Sequence, residues 1–305
     1  MRLKILIGTL GVFVVTVIGV QLYMNSQLLP FDDEARKKAP YNMIRLSDGY
    51  THYRQSAGDG QTVVLIHGSS TPLFMWNSIF ESLAEVGMNV IAYDQYGRGW
   101  SDRPDEDYNS DLFDRQLDEL IKALNLQAPV DLVGVSLGAM IAANYVEHHP
   151  DNVRKIGLIS PGGYAMEVPL VFRIIQTPII GDWFMDVFGK KLMLLPVIDA
   201  VSQVNTVPDL LGRYEQMLSY QGYLTATTSL FRTFDFNRTA QSYKSVGESG
   251  KPTQIIWGSA DPLAANEPSF RRDIPQAEQN VIENGTHIIP VTHADRISEI
   301  LIGFL

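Results

Sequence analysis

Short apolar runs recur from residue 62 onward: Thr62–Ile66 (TVVLI), Asn89–Tyr93 (NVIAY), Val130–Val133 (VDLV) and Val153–Ile159 (VRKIGLI). Stretches with apolar residues at helical spacing separate them. Leu112–Leu124 has apolar residues at 113, 117, 120, 121 and 124, and Phe80–Val86 and Ala139–Glu147 also read as helices. Runs this short and this uniformly apolar suit strands covered on both faces. Their alternation with helices predicts an α/β fold around a largely parallel sheet, with functional loops beyond the carboxyl ends of its strands.

Before this block, Met43–Leu46 and Thr51–Gln55 flank Ser47-Asp48-Gly49-Tyr50, a hairpin signal. After it the alternation breaks. Pro161–Gly250 contains the apolar helical runs Val168–Ile175, Trp183–Phe188 and Leu192–Val201, which Pro178, Pro196 and Pro208 are expected to interrupt, and no convincing strand. It reads as a helical insertion. Strands resume at Thr253–Trp257 (TQIIW) and Gln279–Ile282 (QNVI), and Ser298–Leu305 closes the chain as an amphipathic helix.

The amino terminus has a different pattern. No charge occurs from Ile5 to Phe31, and the apolar run Leu3–Met24 is broken only by Lys4, two threonines and Gln21. About 20 such residues match a hydrocarbon core of about 30 Å. A buried soluble helix would show a polar stripe, and a cleaved signal peptide would want a better small-x-small site than Gly19-Val20-Gln21. The reading adopted is an uncleaved signal-anchor: a transmembrane helix over residues 1–24, partnering the membrane. Arg2 and Lys4 before it, diluted by Arg36, Lys37 and Lys38 behind it, place the remainder outside the cytoplasm.

Composition narrows the chemistry. The net charge of −10 and the absence of any basic cluster argue against nucleic-acid binding. The absence of cysteine excludes thiol nucleophiles, disulfides and cysteine-ligated metal centres.

Gly134-Val135-Ser136-Leu137-Gly138 has the form G-x-S-x-G between a strand and a helix, a context that lifts a serine above the sheet on a sharp turn. Glycines at 134 and 138 leave room for neighbouring backbone. His67-Gly68-Ser69 follows an earlier strand, so the main-chain N–H groups of Ser69 and Leu137 are candidate oxyanion donors. His67 reads as a structural hydrogen-bonding residue. A serine nucleophile needs a base oriented by a carboxylate. Of six histidines (52, 67, 148, 149, 287 and 293), His287 follows the last strand and is preferred over His293. Asp261 follows the TQIIW strand and is the candidate acid; a turn-capping role before Pro262 is its bland alternative.

These residues carry a resemblance. VVLIHGSS (63–70), YDQYGRGWSDRP (93–104), VDLVGVSLG (130–138), IIWGSADPL (255–263) and NGTH (284–287) resemble the α/β-hydrolase fold family, nearest its lid-bearing serine esterase and lipase-like branch. Ser136, Asp261 and His287 stand in the chain order that this fold uses. Thr286 departs from the glycine that many relatives have before the histidine. The resemblance implies a hydrolase core over 43–160 and 251–305, a helical cap over 161–250 and a linker over 25–42. It treats the loop holding Asp94, Gly97, Arg98, Gly99 and Ser101 as mainly structural. The activity implied is hydrolysis of carboxylic esters, among them monoacylglycerols or other lipid-derived esters, through an acyl-enzyme. The alternatives are a carbon–carbon bond or other acyl hydrolase or acyltransferase, and a non-catalytic binding protein. The partner expected is a small-molecule or lipid ester; the chemistry calls for no cofactor and no metal, and leaves the oligomeric state open.

Overall fold

The computed structural model describes residues 2–164, 170–201 and 209–305. Helix α1 (Arg2–Ser26) and the short α2 (Asp33–Arg36), capped by Asp32, lead into β1 (Asn42–Arg45) and β2 (Tyr50–Gln55). These two strands pair as the expected hairpin, Arg45 opposite Tyr50. The alternating block follows: β3 (Thr62–Ile66), α3 (Asn77–Glu85), β4 (Asn89–Tyr93), α4 (Ser110–Ala123), β5 (Val130–Val135), α5 (Leu137–His148) and β6 (Val153–Ile159). The inserted segment carries α6 (Leu170–Gln176), α7 (Ile180–Val201), α8 (Leu210–Leu218), α9 (Tyr223–Thr233) and α10 (Thr239–Glu248). The chain closes with β7 (Thr253–Gly258), α11 (Glu267–Asp273), β8 (Glu278–Ile282), α12 (Ile289–Thr292) and α13 (Ala294–Phe304).

The eight strands form one sheet in the order β1-β2-β4-β3-β5-β6-β7-β8. β2 pairs antiparallel with both its neighbours, and the pairs from β4 to β8 are parallel. Every residue of β3, β5 and β7 is buried, as expected for strands covered on both faces. One apolar layer joins α4, α5 and α10 to the sheet through Phe113, Leu117, Tyr145 and Tyr243. The other joins α3 and α13 through Trp76, Ile79, Ile297 and Leu301, and continues into the cap. Burying each such large side chain contributes about 1.5–3 kcal/mol. Asn109 starts α4 by accepting the Leu112 N–H at 3.0 Å, and the apolar stripe read in the sequence turns inward.

Two expectations need correction. Pro196 does not interrupt the cap: α7 runs unbroken from Ile180 to Val201. Burial of Met185, Leu194 and Val197 on either side outweighs the one backbone bond that a proline removes. Val168 and Pro208, also used to divide the insertion, lie outside the described residues.

The second correction concerns the amino terminus. Among the described residues, no helix is long and apolar enough to cross a membrane. α1 is instead tied to the cap by polar contacts. Trp183 Nε1 on α7 donates to Val17 O at 3.1 Å, and Gln21 Nε2 donates to Asp186 Oδ2 at 2.7 Å. Gln21, a polar break in the apolar run, is a contact to protein. A hydropathy count does not distinguish lipid from a neighbouring helix. The structure thus contradicts the transmembrane anchor over residues 1–24, and with it the membrane partner and the extracytoplasmic placement that rested on that helix.

Candidate active site

Ser136 lies between β5 and α5 with φ 53° and ψ −115°, a backbone strained for any residue with a side chain. The two flanking glycines make that turn possible. A Cβ on Gly134 would come within 2.2 Å of Gly138 O, and one on Gly138 within 2.0 Å of Ile66 O. Ser136 N–H is held by Ile159 O at 3.0 Å. Leu137 opens α5, so its N–H has no acceptor within the helix.

Asp261 and His287 arrive on two loops that are joined to each other. Ala260 N–H donates to Gly285 O at 2.8 Å, Ser259 N–H to Ile282 O at 2.9 Å, and Asn284 N–H to Ser259 Oγ at 2.9 Å. A Cβ on Gly258 would meet Gly285 O at 2.3 Å, so the loops approach more closely than side chains there would allow. His287 Nδ1 stands 2.9 Å from Asp261 Oδ2. Asp261 is also the turn cap, its Oδ1 accepting the Leu263 N–H at 3.0 Å. Burial pushes the Asp261 carboxyl up, but the hydrogen bond and charge of His287 outweigh it and hold the group below the usual carboxylate range. An ionised carboxylate only accepts, so the ring proton of His287 sits on Nδ1 and leaves Nε2 as an acceptor.

Ser136 and His287 line one cavity of about 320 Å³. Ser69, Ser70, Thr71 and Thr286 supply its polar edge; Met75, Val135, Val197 and Ile288 supply apolar wall. Among the described residues that line it, His287 is the only ionisable one. His293 is not among them: its Nδ1 lies 2.8 Å from Thr292 Oγ1 at the start of α13. His52 is buried against Asp94, with Nδ1 2.7 Å from Oδ2, and His148 and His149 flank Asp114 on the surface.

The loop after β3 is fixed by side chains. Gln95 N–H donates to His67 Nε2 at 2.9 Å, so His67 carries its proton on Nδ1 and donates it to Gly68 O at 2.6 Å. Full burial lowers the His67 imidazole to about 4 and keeps it neutral. The C=O of Gly68 and the N–H of Ser69 belong to one planar unit, so this bond sets the direction of the Ser69 N–H. Arg98 Nε donates to Ser69 O at 2.6 Å, and Tyr223 Oη, from the cap, to Ser70 O at 3.0 Å. Sequence reading left Arg98 in a structural loop and did not single out Tyr223 or Met75; nothing local in the sequence marks their partners.

Comparison with known proteins agrees with the architecture. A family profile described as the alpha/beta hydrolase fold matches residues 61–294. An uncharacterized protein of Mycobacterium tuberculosis is 33% identical over 165 residues, 54% of this chain and 46% of that one. The chain thus spans about half the length of the first curated relatives it matches. A putative non-heme chloroperoxidase of Synechocystis is 28% identical over 83% of this chain and 94% of its own. A monoacylglycerol lipase of Bos taurus is 22% identical over 83% and 77%. These names span different chemistries, so the activity has to come from the site.

Proposed function

This chain belongs to the α/β-hydrolase fold family, and from that premise we propose that it is a serine hydrolase cleaving carboxylic esters through an acyl-enzyme. The observation that carries the reading is the strained Ser136 elbow opening on the same cavity as the Asp261-paired His287. His287 Nε2 takes the Ser136 proton as Oγ attacks the ester carbonyl. The N–H groups of Ser69 and Leu137 receive the oxyanion. The imidazolium, oriented by Asp261, protonates the leaving alcohol. Water, deprotonated by the same His287, then attacks the acyl-enzyme and releases the acid.

The cavity also bears on the substrate class. Its described lining offers no lysine or arginine to a carboxylate, which favours a neutral acyl group over the anionic substrates of a carbon–carbon hydrolase. At about 320 Å³ it is near the lower end of ligand pockets. Each buried methylene contributes about 0.8 kcal/mol. A medium-chain neutral ester, such as a lipid-derived monoester, fits both facts.

The test is a fluorophosphonate probe together with p-nitrophenyl esters from two to sixteen carbons. Wild type is expected to label and to peak at medium chains, and folded Ser136→Ala to do neither. A folded Ser136→Ala protein that still turns over ester would overturn the assignment. Turnover confined to an anionic diketone would overturn the substrate class.

A further inference from the structure

Three successive carbonyl oxygens of the loop after β3 are each held by a side chain from a different part of the chain. Gly68 O accepts from His67, Ser69 O from Arg98 and Ser70 O from Tyr223. The first two donors belong to the core. Tyr223 belongs to α9 of the cap. We propose that Tyr223 is a positioning residue, through which the seating of the cap sets the geometry of the Ser69–Ser70 oxyanion segment and hence the rate of the chemical step. The proposal rests on the reading of Ser136 as nucleophile and of Ser69 N–H as an oxyanion donor.

Tyr223 is built for this contact. Its side chain is fully buried, and its Oη also lies 3.4 Å from the hydroxyl of Tyr214, on α8, which is equally buried. The Arg98 guanidinium stands 5.1 Å from the Tyr223 ring centroid, so the residue that holds Ser69 O also packs on the residue that holds Ser70 O. Burial pushes both phenols above their ordinary range, so neither gives up its donor proton at working pH. The core holds the segment at Gly68 and Ser69 and again at Leu73, whose N–H donates to Asp94 Oδ1 at 2.8 Å; between them, the Ser70 carbonyl is held from the cap. Removing the Tyr223 hydroxyl takes the side-chain donor from the half-buried Ser70 carbonyl while keeping the ring in place.

The experiment compares Tyr223→Phe with Tyr243→Phe. Tyr243 is equally buried and donates to Gly162 O at 2.8 Å, away from the cavity lining. With p-nitrophenyl butyrate, Tyr223→Phe is expected to lower kcat about tenfold, less than the loss of an oxyanion donor itself, and to keep KM within about twofold. The inhibition constant of phenylboronic acid, whose tetrahedral serine adduct presents an oxygen to the same donors, should rise by about the same factor as kcat falls. Tyr243→Phe is expected to lower thermal stability and leave kcat and the boronate constant unchanged. If Tyr223→Phe behaves like Tyr243→Phe, the proposal is wrong. Should Tyr223→Phe not fold, Tyr214→Phe serves: a smaller shift of kcat and boronate binding in the same direction is expected, and no shift in either overturns the proposal. Ser136→Ala run beside them separates the two readings, because its retained turnover would sink the nucleophile assignment whatever the tyrosines do.

Discussion

His287 Nδ1 lies 2.9 Å from Asp261 Oδ2 although the two residues are 26 apart in the chain and strand β8 runs between them. Parallel pairing of β7 with β8 brings the ends of both strands to one edge of the sheet, Gly258 opposite Ile282, and the bonds between the two following loops do the rest. The pair therefore depends on strand register, and its chemistry depends on which ring nitrogen holds the proton.

Asp261→Asn is expected to keep the geometry and reverse that tautomer. The amide can donate to Nδ1, which places the His287 proton on Nε2, where the Ser136 proton should be received. With p-nitrophenyl butyrate, kcat should fall by about 10³–10⁴ with little change in KM. A loss below tenfold would mean that Asp261 serves only as the cap of the Leu263 turn.

Gly138→Ala tests the elbow as a packing problem. The new Cβ would lie 2.0 Å from Ile66 O, which is strand backbone and cannot rotate away. The variant should lose folded yield or fall by several kcal/mol in urea unfolding, in the range of severe overpacking. A change within about 0.5 kcal/mol would show that β3 and α5 are not in the contact described.

Val197 brings the cap to the cavity wall and is almost fully buried there. Val197→Phe should fill part of the cavity and move the optimum of the p-nitrophenyl series to shorter acyl chains. Val197→Ala should move it to longer ones, each methylene shifting kcat/KM by about 0.8 kcal/mol until the space is used. An optimum that stays at one chain length in both variants would remove the cap from substrate selection.

Stability should depend on pH through His67. Its desolvated imidazole is lowered to about 4 in the folded chain, against about 6.5 when unfolded. The unfolded chain therefore takes up the extra proton first as pH falls. The contribution is complete above about pH 6.5 and is lost progressively towards pH 4, on the order of 3 kcal/mol in all. The buried Asp94 carboxyl adds a loss at lower pH: burial raises it, but the bond and charge of His52, the charge of His67 and the Leu73 N–H together outweigh burial and hold it below its ordinary value. Urea midpoints measured at pH 7.5, 6 and 4.5 should fall in that order. A constant midpoint would mean that His67 is not held neutral in a dry site.

What the sequence by itself determined was local. The largely apolar runs TVVLI and VDLV declare strands buried on both faces, the 113–124 stripe declares a helix that buries one face, and Asp-Gly at 48–49 declares a hairpin by its own turn chemistry. G-x-S-x-G was legible because its residues stand together in the chain between a strand and a helix; Gly134 answers a clash within the turn, while the clash that Gly138 avoids, with Ile66 O of β3, is tertiary. Other features needed the tertiary structure, because they depend on what stands opposite. Packing of Met185, Leu194 and Val197 carries α7 through Pro196. The bond from Gln21 to Asp186, 165 residues away, turns an apparent membrane segment into a helix docked on the cap. The hold of Arg98 and Tyr223 on successive carbonyls also joins residues far apart in the chain. A side chain's polarity is written in the sequence, but the identity of its partner is settled only when the sheet register and the cap bring distant segments within hydrogen-bond reach.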